Sequence, residues 1–150
     1  MSSFTGNIQL EQLGKTDNCL VLKDFSYYTN DRILEFVIKK GFITDLASIK
    51  PITFALSFIP FLGIFLAAAL RNRYWRAFAL HDMLYRTGWV SQYQADVILD
   101  ESLEVLGANK ATREIIYRGL RMFGSPTDNP DLIENAIKHS AIIETDVYYL

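Results

Sequence analysis

The chain has 150 residues, of which 50% are hydrophobic and 21% charged, a composition typical of a packed domain rather than a disordered chain. Fifteen basic and seventeen acidic side chains give a formal charge of −2, which argues against a dedicated DNA- or RNA-binding protein. Cys19 is the only cysteine, so a disulfide within the chain and a zinc site built from several thiolates are excluded. We therefore expect a single domain over residues 1–150 that binds no nucleic acid.

The N-terminal 48 residues favour β-strands. A β-prone run begins at Leu20–Leu22 and continues to Tyr27. A turn signal, Thr-Asn-Asp at 29–31, separates it from a second β-prone run at Ile33–Ile38. The two runs together predict a short β-hairpin.

Residues 49–72 form an apolar segment whose uncharged centre, Pro51–Leu70, is long enough to span a membrane. Pro60 and Gly63 interrupt this run, and the sequence holds no second candidate span that would support a broken helix. The run therefore predicts a bent element rather than a transmembrane helix. Three interpretations stay open: a buried loop leading into a core helix, an interface for a bilayer or another protein, and, ranked last, a true span. Its four phenylalanines favour the interface.

A helical body follows over residues 73–143, because apolar residues recur at helical spacing between capping residues and glycine stops. The predicted helices are Tyr74–Tyr85, Ser91–Leu106 with a Ser91 and Gln94 capping box, Lys110–Phe123 after Asn109, and Pro130 to about Ile143. The short connection after Tyr85 predicts an antiparallel central helix pair, and residues 144–150 form a tail. The fold class is α+β, with a short N-terminal hairpin and a mainly helical body.

His81 and Asp82 are neighbours in an otherwise aromatic and aliphatic helix, and neither is cheap to bury without a partner. Helical spacing places Tyr85 on the same face as His81. Asp96 lies one turn into the next helix and can face His81; Asp100 lies one turn further, and spacing alone does not separate the two. A carboxylate bonded to one imidazole nitrogen leaves the other available as a base. The alternative is a structural polar pair at the edge of the core.

Two carboxylates, Asp45 and Asp82, are candidate ligands for a metal ion. Asp45 follows the β-rich part and Asp82 lies beside His81, and backbone carbonyls of the turn at 44–46 add further oxygens. Carboxylate, carbonyl and water oxygens suit a hard cation, calcium in particular. The sequence therefore predicts that Asp45 and Asp82 share a calcium ion.

Two other groups are expected to be structural. His139, the second histidine, falls on an apolar face of the last helix. The basic patch of Arg71, Arg73, Arg76 and Arg86 is expected to be a solvated face, with a phosphate or phospholipid headgroup site as the alternative.

Several short blocks recur in a specific order. They are GFITDLAS at 41–48, ALHDMLY at 79–85, Ala95–Asp96, Tyr117, and Arg121–Gly124. In this combination the chain resembles a protein family encoded by tailed phages and prophages, with the similarity extending to about Gly124. The resemblance implies a phage or prophage source, with the protein in the virion or the host cytoplasm. No secretory signal is expected, since no basic region is followed by an apolar run at the N-terminus.

The same order of Thr-Asp-Leu, His-Asp-x-x-Tyr, a later Asp, then Tyr and Phe-Gly is similar to the calcium-dependent secreted phospholipases of the A-two type. This resemblance implies a phospholipase A-two-like fold, with His81 activating water and Asp96 orienting it. It also places Tyr85 and Tyr117 in the catalytic group. Its implied calcium ligands are Asp45, the Leu46 carbonyl and Asp82.

The leading functional prediction is a phage-encoded, calcium-dependent ester hydrolase that acts on a phospholipid or membrane surface through a His–Asp dyad. The alternative is a non-catalytic virion component of the tail or capsid, which keeps the scaffold and contacts other phage structural proteins. A cell-wall hydrolase ranks third.

Overall fold

The computed structural model describes residues 1–6, 9–14, 18–29, 34–45, 62–123 and 129–144. Within these residues the strands are β1 Ser3–Thr5, β2 Leu10–Gln12, β3 Cys19–Val21, β4 Phe25–Tyr28, β5 Leu34–Ile38, β6 Ile43–Thr44 and β7 Ser140–Glu144. The helices are α1 Leu62–Thr87, α2 Gln92–Val105, α3 Lys110–Phe123 and α4 Pro130–Lys138. Six of the seven described strands precede the helices and one follows them, and both described sheets are antiparallel, so the predicted α+β class is confirmed.

The larger sheet has the strand order β1-β4-β5-β7, and its central pair, β4 and β5, is the predicted hairpin. Phe25 lies opposite Ile38 and Tyr27 opposite Phe36, so large apolar side chains meet on one face of the pair. One part of the prediction is wrong, because the run from Leu20 to Tyr27 is not one strand. Asp24 interrupts it by accepting a hydrogen bond from the Lys40 amide at 2.7 Å, and β3 joins a different sheet.

The last helix is also shorter than predicted. It ends at Lys138, and Ser140–Glu144 forms β7, which pairs with β5 along its full length. The sequence Ser-Ala-Ile-Ile-Glu carries two β-branched residues and satisfies the backbone groups of β5 that would otherwise form a sheet edge. The helical body therefore does not extend to residue 143.

The smaller sheet, with the order β2-β3-β6, leads the chain toward the candidate site. Cys19 lies opposite Thr44 in the β3–β6 pair, and Asp45 follows directly. The pairing of β6 with β3 therefore fixes the positions of Thr44 and of Asp45, the residue that follows it.

The capping signals of the helices are confirmed. Ser91 and Gln94 exchange both hydrogen bonds of a capping box at the start of α2, and Asn109 accepts from the Thr112 amide at 2.8 Å at the start of α3. Helix α1 contains a non-helical residue at Tyr74, with φ −115° and ψ 20°. The predicted helix from Tyr74 is thus the second straight part of a longer α1.

Helix α1 lies between two clusters of buried side chains. Tyr74, Ala77 and Phe78 pack with residues of α2 and α3, whereas Leu80 and Met83 pack with residues of the two sheets, α2 and α4. The remaining members of the two clusters are Cys19, Leu99, Leu103, Ala108, Ile116 and Leu120 in the first, and Val21, Phe25, Tyr27, Phe36, Ile38, Phe42, Ala79, Leu84, Ala95, Ile98 and Ala136 in the second.

Residues 51–61 of the predicted bent apolar element lie outside the described residues, and its C-terminal part, 62–70, belongs to α1. In the part of the chain that the structure describes, no helix has both the length and the apolar character needed to cross a membrane.

Candidate functional site

One stretch of α1 places three polar side chains inside the protein and a fourth, Tyr85, partly inside. His81 and Tyr85 are four residues apart and share one face, and Asp82 and Arg86 share the neighbouring face in the same way. His81, Asp82 and Arg86 are 2%, 4% and 7% exposed, respectively. Buried polar groups of this kind require hydrogen-bond partners. The two faces of the helix have separate sets of partners.

On the first face, His81 Nε2 lies 3.0 Å from Asp96 Oδ1 of α2. The Tyr85 hydroxyl donates to the same oxygen at 2.8 Å, and the His81 and Tyr85 rings pack with centroids 4.2 Å apart. The predicted His81–Asp96 contact is therefore confirmed. Asp100 instead forms an ion pair with Arg113 at 2.8 Å, which separates the two aspartates that spacing alone left open.

Asp96 is 3% exposed, and its second oxygen, Oδ2, lies 3.6 Å from Arg121 Nη1. Burial by itself raises the pKa of the Asp96 carboxyl, but hydrogen bonds from His81 and Tyr85, with the charges of His81 and Arg121, outweigh burial and lower the pKa. Asp96 is thus a carboxylate at neutral pH. Because it only accepts hydrogen bonds, it selects the His81 tautomer that carries its proton on Nε2.

Tyr85 remains a donor in this arrangement. Burial, then the hydrogen bond to Asp96 and the Asp96 charge, raise the pKa of the Tyr85 hydroxyl. Tyr117 of α3 is 40% exposed and lines a small crevice together with Asp96. The structure therefore brings His81, Tyr85 and Asp96 into direct contact and places Tyr117 beside them; their catalytic roles stay predictions.

On the second face, Asp82 Oδ2 accepts a hydrogen bond from the Thr44 hydroxyl at 2.5 Å. The Arg86 guanidinium donates to the Ile43 carbonyl through Nη1 and to Asp45 Oδ1 through Nη2, and Nη2 lies 3.8 Å from Asp82 Oδ2. The prediction of a solvated basic face is therefore wrong for Arg86. Its side chain turns inward because two carboxylates and a carbonyl surround it.

Asp45 and Asp82 do approach one position, as predicted, but that position holds the Arg86 guanidinium. Burial raises the pKa of the Asp82 carboxyl, Arg86 lowers it, and Asp45 raises it further, so one positive charge does not fully offset burial beside a second carboxylate. The residues present therefore do not fit a calcium ion unless Arg86 moves. Leu46 lies outside the described residues, and among those described no group of three or more His, Cys, Asp or Glu side chains is arranged to hold a metal.

Helix α4 anchors strand β6, which precedes Asp45 and carries Ile43 and Thr44. Asn135 accepts from the Ile43 amide at 2.7 Å and donates to the Gly41 carbonyl at 3.0 Å. His139 Nδ1 donates to the Lys40 carbonyl at 2.9 Å, and its ring lies 2.5 Å from where a Cβ on Gly41 would be. Gly41 also has φ +97°, so this position requires glycine twice over.

Sequence reasoning named the backbone of the turn at 44–46 but missed the Thr44 hydroxyl, and it missed Arg86 and Asn135 as parts of this site. The spacing of Asp82 and Arg86, four residues apart on one helix face, is the one local signal that pointed to Arg86. Thr44 and Asn135 are 38 and 92 residues from their partners in sequence, so no local pattern reveals them.

Comparison with known proteins places this site within a family. No curated protein and no solved structure matches the chain. A family model described as "Protein of unknown function (DUF1353)" matches residues 19–120, which include both faces of the site and every described site residue except the α3 arginine Arg121 and the α4 anchors. Because this match covers more than half of the sequence, the chain belongs to the DUF1353 family.

Proposed function

We propose that this protein is a phage-encoded hydrolase in which His81 activates water to cleave an ester. The expected substrate is a phospholipid acyl ester. The observation that carries the proposal is the 3.0 Å contact between His81 Nε2 and Asp96 Oδ1, which Tyr85 shares. The likeness to the phospholipases of the A-two type, including an antiparallel α1–α2 pair, is part of the proposal.

The chemistry follows from the orientation of the imidazole. With Nε2–H held by Asp96, the other ring nitrogen, Nδ1, is the base. His81 Nδ1 takes a proton from water as the water oxygen adds to the ester carbonyl carbon. The resulting imidazolium, stabilised by Asp96, returns the proton to the alkoxide as the carbon–oxygen bond breaks. The products are a carboxylic acid and an alcohol.

A matched pair of histidine variants tests this mechanism, because the chain contains only two histidines. Purified wild type, His81→Gln and His139→Gln are incubated with vesicles of mixed anionic and zwitterionic phospholipids, and with a water-soluble ester. Fatty acid release is measured by mass spectrometry. We expect His81→Gln to lower the rate by about 10²–10⁴-fold and His139→Gln to keep it near wild type.

Two results contradict the hydrolase proposal. One is a wild-type protein that releases no acid from any of these esters, and the other is equal activity in wild type and His81→Gln. Circular dichroism spectra of both variants establish that they are folded before rates are compared.

A non-catalytic, virion-associated role as a tail or capsid component is the second candidate. The observation that favours it is the burial of the dyad, because His81 and Asp96 are only 2% and 3% exposed. In this role the dyad is a hydrogen-bonded core element that holds α1 against α2. Detection of the chain in purified particles by mass spectrometry, together with inactivity on all esters, supports this candidate over the enzyme.

A further inference from the structure

Arg86 occupies the position at which the sequence predicts a calcium ion. Its guanidinium donates to one carboxylate, Asp45, and one carbonyl, Ile43, and lies 3.8 Å from a second carboxylate, Asp82. Two carboxylates and a backbone carbonyl are the oxygen ligands that a hard divalent cation takes in proteins. The same oxygen atoms here surround a side chain that is 2% exposed.

A guanidinium suits this environment better than the ammonium group of a lysine would. It carries five N–H donors in a planar fork and bonds several oxygens at once. The Phe42 ring, 5.7 Å from the Arg86 guanidinium carbon, covers part of the cation. The contact between Arg86 and β6 also joins the strand to α1, which is the structural role of a metal bridging two elements.

We propose that Arg86 is the resident cation of this site, so that Asp45 and Asp82 are held together without a metal ion. The proposal rests on the geometry around Arg86 and not on catalytic activity. It predicts that the wild-type protein neither needs nor gains stability from calcium. It further predicts that removing the guanidinium creates calcium dependence, because the oxygen ligands then lose the cation they share.

The test compares the melting temperatures of wild type, Arg86→Ala and Arg118→Ala in calcium chloride and in the chelator EGTA. Arg118 is the matched control, since it forms an ion pair with Glu114 on the same helix and its side chain is 73% exposed. We expect calcium to leave the melting temperatures of wild type and Arg118→Ala unchanged. We expect Arg86→Ala to melt well below both in EGTA and to recover part of this loss in calcium.

Titration calorimetry with calcium chloride gives an independent readout. Wild type is expected to show no binding heat, and Arg86→Ala to bind one calcium ion per chain. The double variant Arg86→Ala with Asp82→Asn is expected to lose this binding, which assigns the ion to the Asp45–Asp82 position. If Arg86→Ala does not fold in EGTA, refolding it with and without calcium gives the same comparison, and Arg86→Lys provides a variant that keeps the positive charge.

Three outcomes overturn the proposal. Calcium binding by wild type that Asp82→Asn abolishes would show that Arg86 gives way to the metal. An Arg86→Ala protein as stable as Arg118→Ala would show that the guanidinium bridges nothing of consequence. An Arg86→Ala protein that calcium neither binds nor stabilises would show that Arg86 does not stand in for a cation. None of these measurements depends on hydrolysis, so failure of the proposed function leaves the result interpretable.

Discussion

Asp82 belongs to α1, and Asp96 of α2 contacts the same two turns of that helix. Both carboxylates are buried, but their environments shift their pKa values in opposite directions. Asp96 is 3% exposed and Asp82 is 4% exposed, so both lose nearly all contact with water. The pKa of Asp96 is nevertheless lowered, whereas the pKa of Asp82 is raised. Burial alone therefore does not decide whether the pKa of a carboxyl rises or falls.

The number and kind of donors explain the difference. Asp96 receives hydrogen bonds from both His81 and Tyr85 on a single oxygen, and no second carboxylate is among the groups that shift its pKa. Asp82 accepts from Thr44 and shares the Arg86 charge with Asp45, which lies closer to the guanidinium. A dedicated set of donors stabilises a buried charge, whereas a shared cation leaves part of the desolvation cost uncompensated.

The largest effect that would sharpen this comparison is expected for Asp96→Ala. This change leaves the His81 Nε2 and Tyr85 hydroxyl donors buried without their acceptor, so we expect a loss of about 3 kcal/mol in the free energy of unfolding. Asp100→Ala is the control on the same helix; its ion pair with Arg113 is 48% exposed at the aspartate and should cost under about 1 kcal/mol. Urea denaturation measures both. Similar losses in the two variants would show that the donors around Asp96 contribute little.

The pH dependence of stability should separate the two carboxylates next. Asp96 has a lowered pKa, so it contributes stability above the unfolded value of about 3.9, and this contribution is lost as the pH falls through the lower folded value. Asp82 has a raised pKa, so its unfavourable contribution near neutral pH disappears as the pH falls through the higher folded value toward about 4.

Wild type is therefore expected to lose stability relative to Asp96→Asn as the pH falls below about 4, and to gain stability relative to Asp82→Asn as the pH falls from neutral toward about 4. Urea denaturation of the three proteins across this range measures both differences. Parallel pH profiles for the two variants would remove the contrast between the sites.

The smallest expected effect is that of Tyr85→Phe, which removes one of the two hydrogen bonds to Asp96 Oδ1 and keeps the ring against His81. We expect a loss of about 1 kcal/mol in the free energy of unfolding and a rise in the pKa of Asp96. Tyr93→Phe, at a 71% exposed position of α2, serves as the control and should change neither quantity. Equal stability of the two variants would indicate that His81 alone holds Asp96.

Local signals in the sequence were sufficient for the starts of α2 and α3 and for the His81–Asp96 contact. The capping residues Ser91 and Asn109 located the starts of α2 and α3, since a cap acts within one turn of its own helix. His81 and Tyr85 share a face by helical periodicity alone, and the short connection to α2 brought Asp96 within their reach. These contacts span at most 15 residues, so the pattern of residue types carries them.

Tertiary structure alone decided the second face of α1 and the strand after α4. The inward turn of Arg86 depends on Ile43 and Asp45, which lie 43 and 41 residues away, and on Asn135, which fixes the strand that carries them. Ser140–Glu144 became a strand because β5 offered it a ladder of backbone hydrogen bonds. In both places the sequence supplied chemically competent residues. The packing of segments far apart in the chain determined the partner of each residue. The stable arrangement is the one in which every buried charge and backbone group has a partner.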